Sequence, residues 1–205
     1  MSESAERFPL FPLGMVLLPE EVVPLHIFEE RYQTMIGLCL EEETEFGVVW
    51  TGEDGLRDVG CAAEVAQLIE RMEDGRMNIL VRGTRPFRLT RRIEDMPYPA
   101  GDVEWLEQED ERDEDAAAGA RRAYADLVEQ VTDSRPSEGD LGALDAYGMA
   151  ATIAFDLSDK QELLELRSED DRMARLAELC ATAMKRLARS QEASERASSN
   201  GKVHH

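Results

Sequence analysis

The apolar residues of this 205-residue chain recur at two different periods, and the change falls at a run of acids. Before that run the apolar residues tend to alternate or form short blocks bounded by Gly, Pro and Asp; after it they recur at steps of three and four. Between them, Glu107 to Asp115 holds seven acids against Arg112 alone, and like charges at that density resist packing. Strands followed by helices predict an α+β protein. The expected organisation is a β domain over 1–110, an α-helical subdomain over 116–190, and a tail over 191–205. That tail has no apolar periodicity and is expected to be disordered.

At the start, Phe8, Leu10, Phe11 and Leu13 are interrupted by Pro9 and Pro12. Proline cannot donate to a ladder, so this segment fits an edge or bulged strand. Further apolar runs follow at Met15–Leu18 and at Val22–Ile27, the latter holding Pro24 and His26. Phe28, Tyr32, Met35, Ile36 and Cys39 then lie on one face of a helix, with Glu29 and Glu30 where the helix dipole favours negative charge. Phe28 and Tyr32 are expected to pin that helix to the strands.

Glu45–Trp50 reads as a strand, and Val59–Met72 and Met77–Val81 as two more. The Asp74-Gly75 pair between the latter is a strong hairpin signal. In the next stretch Phe87, Leu89, Arg91 and Ile93 share one parity and Arg88, Thr90 and Arg92 the other, which predicts a half-buried strand. With Arg76, Arg82 and Arg85 it forms a basic segment. Tyr98–Leu106 is the last strand candidate.

Beyond the acidic run, Ala117, Ala120, Tyr124, Leu127, Val128 and Val131 form one helical stripe, and Leu141, Leu144, Gly148, Ala151 and Phe155 another. Ser158-Asp159-Lys160-Gln161 has the capping-box pattern. Met173, Leu176, Cys180, Ala183 and Leu187 form a seam of about two heptads, a length suited to intramolecular packing.

The net charge of −21 repels polyanions, and no run of about 18 apolar residues is present to span a bilayer. Cys39, Cys61 and Cys180 are odd in number and widely spaced, as buried thiols of a cytoplasmic protein would be. The acidic run lacks the glycine-centred spacing of a calcium loop. His26 is the sole imidazole outside the tail and is expected to be structural. Lys160, Lys185 and Lys202 offer no buried Ser-Lys dyad, and the GxxxxGK[ST] phosphate loop is absent. Neither an enzyme nor a bound cofactor or metal is expected.

Several segments, in order, resemble one family. They are Phe8-Pro9-Leu10-Phe11-Pro12-Leu13, Leu17-Leu18-Pro19, Pro24-Leu25-His26-Ile27-Phe28-Glu29-Glu30-Arg31-Tyr32, Phe46-Gly47-Val48-Val49, Val59-Gly60-Cys61-Ala62-Ala63-Glu64-Val65, Asp74-Gly75-Arg76-Met77-Asn78-Ile79-Leu80-Val81-Arg82-Gly83 and Arg85-Pro86-Phe87-Arg88. Together they are similar to the N-terminal, substrate-binding domain of Lon proteases. Lys160-Gln161-Glu162-Leu163-Leu164-Glu165 resembles the helical part that follows in standalone bacterial members.

The resemblance implies a PUA-like, six-stranded β-barrel with one helix, followed by a C-terminal α-helical bundle subdomain. It also implies recognition of unfolded or tagged polypeptide, with ATP hydrolysis and peptide cleavage assigned to later domains that this sequence does not contain. The expected function is therefore a non-catalytic module, monomeric or weakly dimeric, that holds exposed apolar segments of protein partners. Met72 and Met77 flanking the hairpin turn, with Arg76, Arg88 and Arg92, are the candidate partner-binding residues. The alternative reading is RNA binding through the PUA-like fold and the arginine strand.

Overall fold

The computed structural model describes residues 4–106 and 114–200. Seven strands and six helices follow one another in these residues. The strands are β1 (Ser4–Leu13), β2 (Val22–Ile27), β3 (Phe46–Gly52), β4 (Gly55–Leu56), β5 (Val59–Arg71), β6 (Met77–Ile93) and β7 (Ala100–Trp105). The helices are α1 (Glu30–Glu42), α2 (Glu114–Thr132), α3 (Glu138–Ala143), α4 (Ala146–Ala150), α5 (Leu157–Glu165) and α6 (Glu169–Asn200). The class is α+β, with a mostly antiparallel sheet and a C-terminal helical region.

The sheet runs β1-β7-β6-β5-β3-β4, and a β1–β3 pairing joins its ends into a closed ring, with β2 added on β6. Of the two expectations for β1, edge or bulged, the bulged one fits: its register with β7 shifts between Ala5 and Phe8, and over its length the strand is bonded on both sides. It is antiparallel to β7 from Ser4 to Pro9 and parallel to β3 from Leu10 to Leu13. Each proline thus lies where one edge only of the strand is bonded, so the ring closes without needing the missing N–H. Phe8, Leu10, Val49, Ala62, Phe87, Leu89, Val103 and Trp105 fill a core cluster. The Phe8 ring meets those of Phe87 and Trp105 edge-on, at 5.6 and 5.3 Å.

The β5–β6 hairpin turns at the expected residues. Gly75 has a φ of 86°, which glycine adopts freely, and Met72 N–H donates to Arg76 O at 2.8 Å. Further along β6 the parity differs from expectation. Leu89 pairs with Val103 but Arg91 with Asp102, so Thr90 is an extra residue in a bulge. The bulge turns Arg91 to the outer face, where it binds Asp102 at 2.7 Å. It places Arg92 across from Gly101, on the inward parity that Val103 and Trp105 share.

Helix α1 buries Tyr32, Met35, Ile36 and Cys39, and Tyr32 stacks at a tilt on Phe11 with 4.2 Å between centroids. Phe28 does not pin it: that ring is 62% exposed. The chain divides into two compact units, Met1–Asp110 with Tyr147–Ser168, and Glu111–Ala146 with Glu169–His205. Residues 147–168, expected in the helical subdomain, therefore group with the strands. The cause lies in α5. Its N-cap is Asp156, not Ser158, and Lys160 and Gln161 are buried against the barrel.

In the second unit, α2 buries Ala120, Tyr124, Ala125 and Leu127, while Val131 is exposed. The stripe expected from Leu141 to Phe155 is broken at Leu144, whose ψ of 135° is extended and separates α3 from α4. Met173, Leu176 and Cys180 of the α6 seam are buried. Helix α6 continues to Asn200, where a disordered tail was expected from 191. A helix already nucleated extends one bond per residue, and Gln191, Glu192, Ala193, Glu195, Arg196 and Ala197 are good helix formers. Residues 201–205 and most of the acidic run, 107–113, lie outside the described residues.

Candidate interaction face on β2

Strand β2 pairs with β6 from Val22↔Arg82 to Ile27↔Met77. Alternate residues point to opposite faces, so Val23, Leu25 and Ile27 share one side and Val22, Pro24 and His26 the other, with Phe28 in step just beyond. Ile27 is buried in the core; Val22, Pro24, His26 and Phe28 are all exposed. Four side chains in a row, none of them a carboxylate, lysine or arginine, cover roughly 20 Å. Val22 at one end of the row is 52% exposed and Phe28 at the other is 62% exposed, which makes the row a candidate binding surface.

A cross-strand chain of hydrogen bonds positions His26 within the row. The Glu70 carboxylate accepts from Asn78 Nδ2 at 3.0 Å, which turns Asn78 Oδ1 toward His26. His26 Nδ1 therefore carries its proton and donates at 2.7 Å. The fixed imidazole stacks on Phe28 at 6.0 Å and 21°. His26 is thus positioned by an amide and a carboxylate, with no Ser or Cys hydroxyl or thiol in the arrangement. At the other end of Phe28, Gln33 Nε2 donates to its carbonyl at 3.0 Å.

The candidate partner residues separate. Met77 is 2% exposed and belongs to the core, so it cannot meet a partner as expected; its position across from Ile27 places it on the inward face. Met72 is half-buried and Arg76 exposed at the hairpin tip, where Arg76 is bound to Asp74 at 2.7 Å. Arg88 and Arg92 are exposed and far along the strand from that tip. The structure does not bring the five residues together. The β2 row was missed because Phe28 fits the α1 stripe as well as the β2 alternation. Counting parity from Val22 through Phe28 would have found it.

Most of the arginine strand is neutralised. Arg82 meets Glu64 at 2.6 Å, Arg85 meets Glu45 at 3.1 Å and lies over the Trp105 ring at 3.7 Å, and Arg91 meets Asp102. The three cysteines are buried free thiols. Burial pushes Cys61 far above its ordinary range and Cys180 up to about 11, so neither is a thiolate at neutral pH. Among the described residues no three His, Cys, Asp or Glu side chains gather as metal ligands, and no helix is long and apolar enough to cross a membrane.

Residues 7–182 match the family model described as the ATP-dependent protease La (LON) substrate-binding domain. The chain belongs to the Lon substrate-binding domain family. The matched model is that of the substrate-binding domain, not of the protease domain. This Lon-type chain is 26% identical over 192 residues to the Lon protease of Escherichia coli K12, covering 83% of the chain and 24% of that protein. It is 28% identical over 203 residues to the Lon protease of Nitratidesulfovibrio vulgaris, covering 86% of the chain and 24% of the relative. It spans about a quarter of the length of these curated relatives.

Two solved structures share its fold. A crystal structure of a Lon N-terminal domain protein from Xanthomonas campestris has a TM-score of 0.64 at 24% identity, covering 85% of this chain and 96% of that one. The N-terminal domain of a Mycobacterium avium complex Lon protease has a TM-score of 0.65 at 20% identity, covering 87% and 98%. The α+β fold of the Lon N-terminal domain is therefore the fold of this chain.

Proposed function

We propose that this Lon-type domain is a non-catalytic, cytoplasmic protein-binding module that holds exposed apolar segments of polypeptide on its β2 face. The observation that carries the reading is the row Val22, Pro24, His26 and Phe28, exposed along and just beyond β2. An unfolded chain presents apolar side chains that a folded protein hides, and burying one Phe and one Val against them supplies a few kcal/mol. Of the expected residues, Met72 at the hairpin tip is the one that could extend this contact. The family's substrate-binding role agrees with the reading.

RNA binding gains no support. The arginines that would hold phosphate are mostly bound to carboxylates, and the chain carries a net charge of −21.

Calorimetric titration with a reduced, carboxymethylated protein tests the proposal. Binding with a negative heat-capacity change is expected, as apolar surface is buried. No heat even at about millimolar concentration, where affinity is only a few kcal/mol, would remove the proposal.

A further inference from the structure

Arg92 differs from Arg82, Arg85 and Arg91 of β6, which are bound to carboxylates; among the described residues Arg88 shares its lack of such a partner. The bulge at Thr90 puts Arg92 on the opposite parity from Arg91, which takes Asp102, and it stays exposed at the end of the strand. There it lines a groove of about 380 Å³ with Leu10, Leu56, Ile93, Met96 and Tyr98. The prolines 12, 97 and 99 stiffen its walls. Bulges that re-aim a single side chain are common beside binding sites.

In a chain with 44 acids and 23 bases, an arginine finds a carboxylate easily. Arg76, Arg82, Arg85 and Arg91 each do so. Among the described residues, Arg92 has no hydrogen bond or ion pair. The other charged groups lining the groove are Arg31, which is bound to Glu29 at 2.8 Å, and Glu94. With Arg31 held by Glu29, Arg92 is the guanidinium left to take an anion, beside the single carboxylate of Glu94. The apolar walls suit an aliphatic side chain attached to it. A guanidinium fork matches a carboxylate in two parallel hydrogen bonds.

We propose that this groove captures the C-terminal carboxylate of a polypeptide that ends in an apolar residue, with Arg92 bound to the carboxylate. The inference rests on the reading that the chain binds polypeptide, and it adds a second, end-specific contact separate from the β2 face. Capture of a chain end by a basic group beside an apolar pocket is an established recognition mode in general.

The test uses the full chain and a fluorescent Gly/Ser octapeptide ending in Leu-Leu, titrated by anisotropy at low salt. The free acid is expected to bind about tenfold or more tightly than the same peptide amidated, since the lost bond is charge-assisted. Arg92→Ala should bring the acid to the level of the amide, Arg92→Lys should fall between, and Glu94→Gln should strengthen the acid. N-acetyl-leucine, which has the carboxylate without the chain, should compete only weakly. Equal binding of acid and amide would overturn the proposal without any variant having to fold. So would an acid that does not bind, an unchanged Arg92→Ala, or N-acetyl-leucine competing as well as the peptide.

A capped peptide with an internal apolar segment is run in parallel with Phe28→Ser. If that peptide binds through Phe28 while acid and amide are alike, the groove proposal alone fails. If the acid binds through Arg92 while the capped peptide does not bind, the β2 reading alone fails.

Discussion

Lys160 Nζ lies 2.6 Å from Glu21 Oε1, joining a helix to the barrel across 139 residues of sequence, with both side chains nearly nine-tenths buried. The other carboxylate oxygen of Glu21 accepts from Leu18 N–H at 3.0 Å. One residue along α5, Gln161 Nε2 donates to Val59 O at 3.1 Å. These bonds dock α5 on the loop before β2 and on the start of β5. Lys160→Ala would leave Glu21 buried without its counter-charge and should destabilise the chain by about 3 kcal/mol. Lys160→Met with Glu21→Leu replaces the pair by apolar groups and should recover most of that, short of about 1 kcal/mol for the lost bond to Leu18. Urea denaturation of the three chains checks the order.

Gly83 is fixed by contact. A Cβ there would sit 2.1 Å from the carbonyl oxygen of Leu18, which is backbone and cannot swing away. Gly83 also exchanges hydrogen bonds with this loop, its N–H donating to Glu21 O at 3.0 Å and its carbonyl accepting from Glu20 at 2.9 Å. Gly83→Ala is expected to cost about 3 kcal/mol by overpacking, and to lower the melting temperature.

What the residues reveal in advance follows from how far apart the interacting partners are. The Asp74-Gly75 hairpin, the α1 stripe and the switch from strands to helices were legible because each depends on neighbours within a few residues. The bonding of β1 on both sides was not, because the two prolines argue locally for an edge and the partner strands lie about 40 and 90 residues away. Lys160 reads as a capping residue because a sequence shows its neighbours Ser158 and Gln161, not Glu21. The Thr90 bulge is likewise invisible in an alternating pattern, and it alone decides which of Arg91 and Arg92 faces outward. Of the candidate partner residues, Met77 was chosen for its place beside a turn. Ladder pairing with Ile27, which turns it inward, is a property of the fold.

Asp102 gives the fold a measurable acid dependence. Its carboxylate accepts from Arg7 N–H and from Arg91, which holds its pKa below the ordinary aspartate range. A carboxyl whose folded pKa is depressed adds stability that is fully present above the unfolded value, about 4, and is lost as pH falls through the lower folded value. Asp102→Asn should therefore show a shallower fall in melting temperature below about pH 4 than the parent chain.

The cysteines should be silent in the native state. Cys61 is fully buried and its thiol is raised far above neutrality by that burial. An aromatic disulfide reagent at pH 8 should label Cys61 only on the timescale of opening, and all three thiols at once in denaturant.

The central claim is that the exposed row on β2 is the surface that holds apolar polypeptide. It is tested most directly by the dissociation constant of one capped, unstructured peptide with an internal Leu-rich segment, measured for the parent chain and for Val22→Ser/Phe28→Ser. Both changed side chains are largely exposed, so the variant should melt within a few degrees of the parent. The account predicts affinity reduced about tenfold or more at equal stability. Equal affinity for the two chains would contradict it and move the binding surface elsewhere.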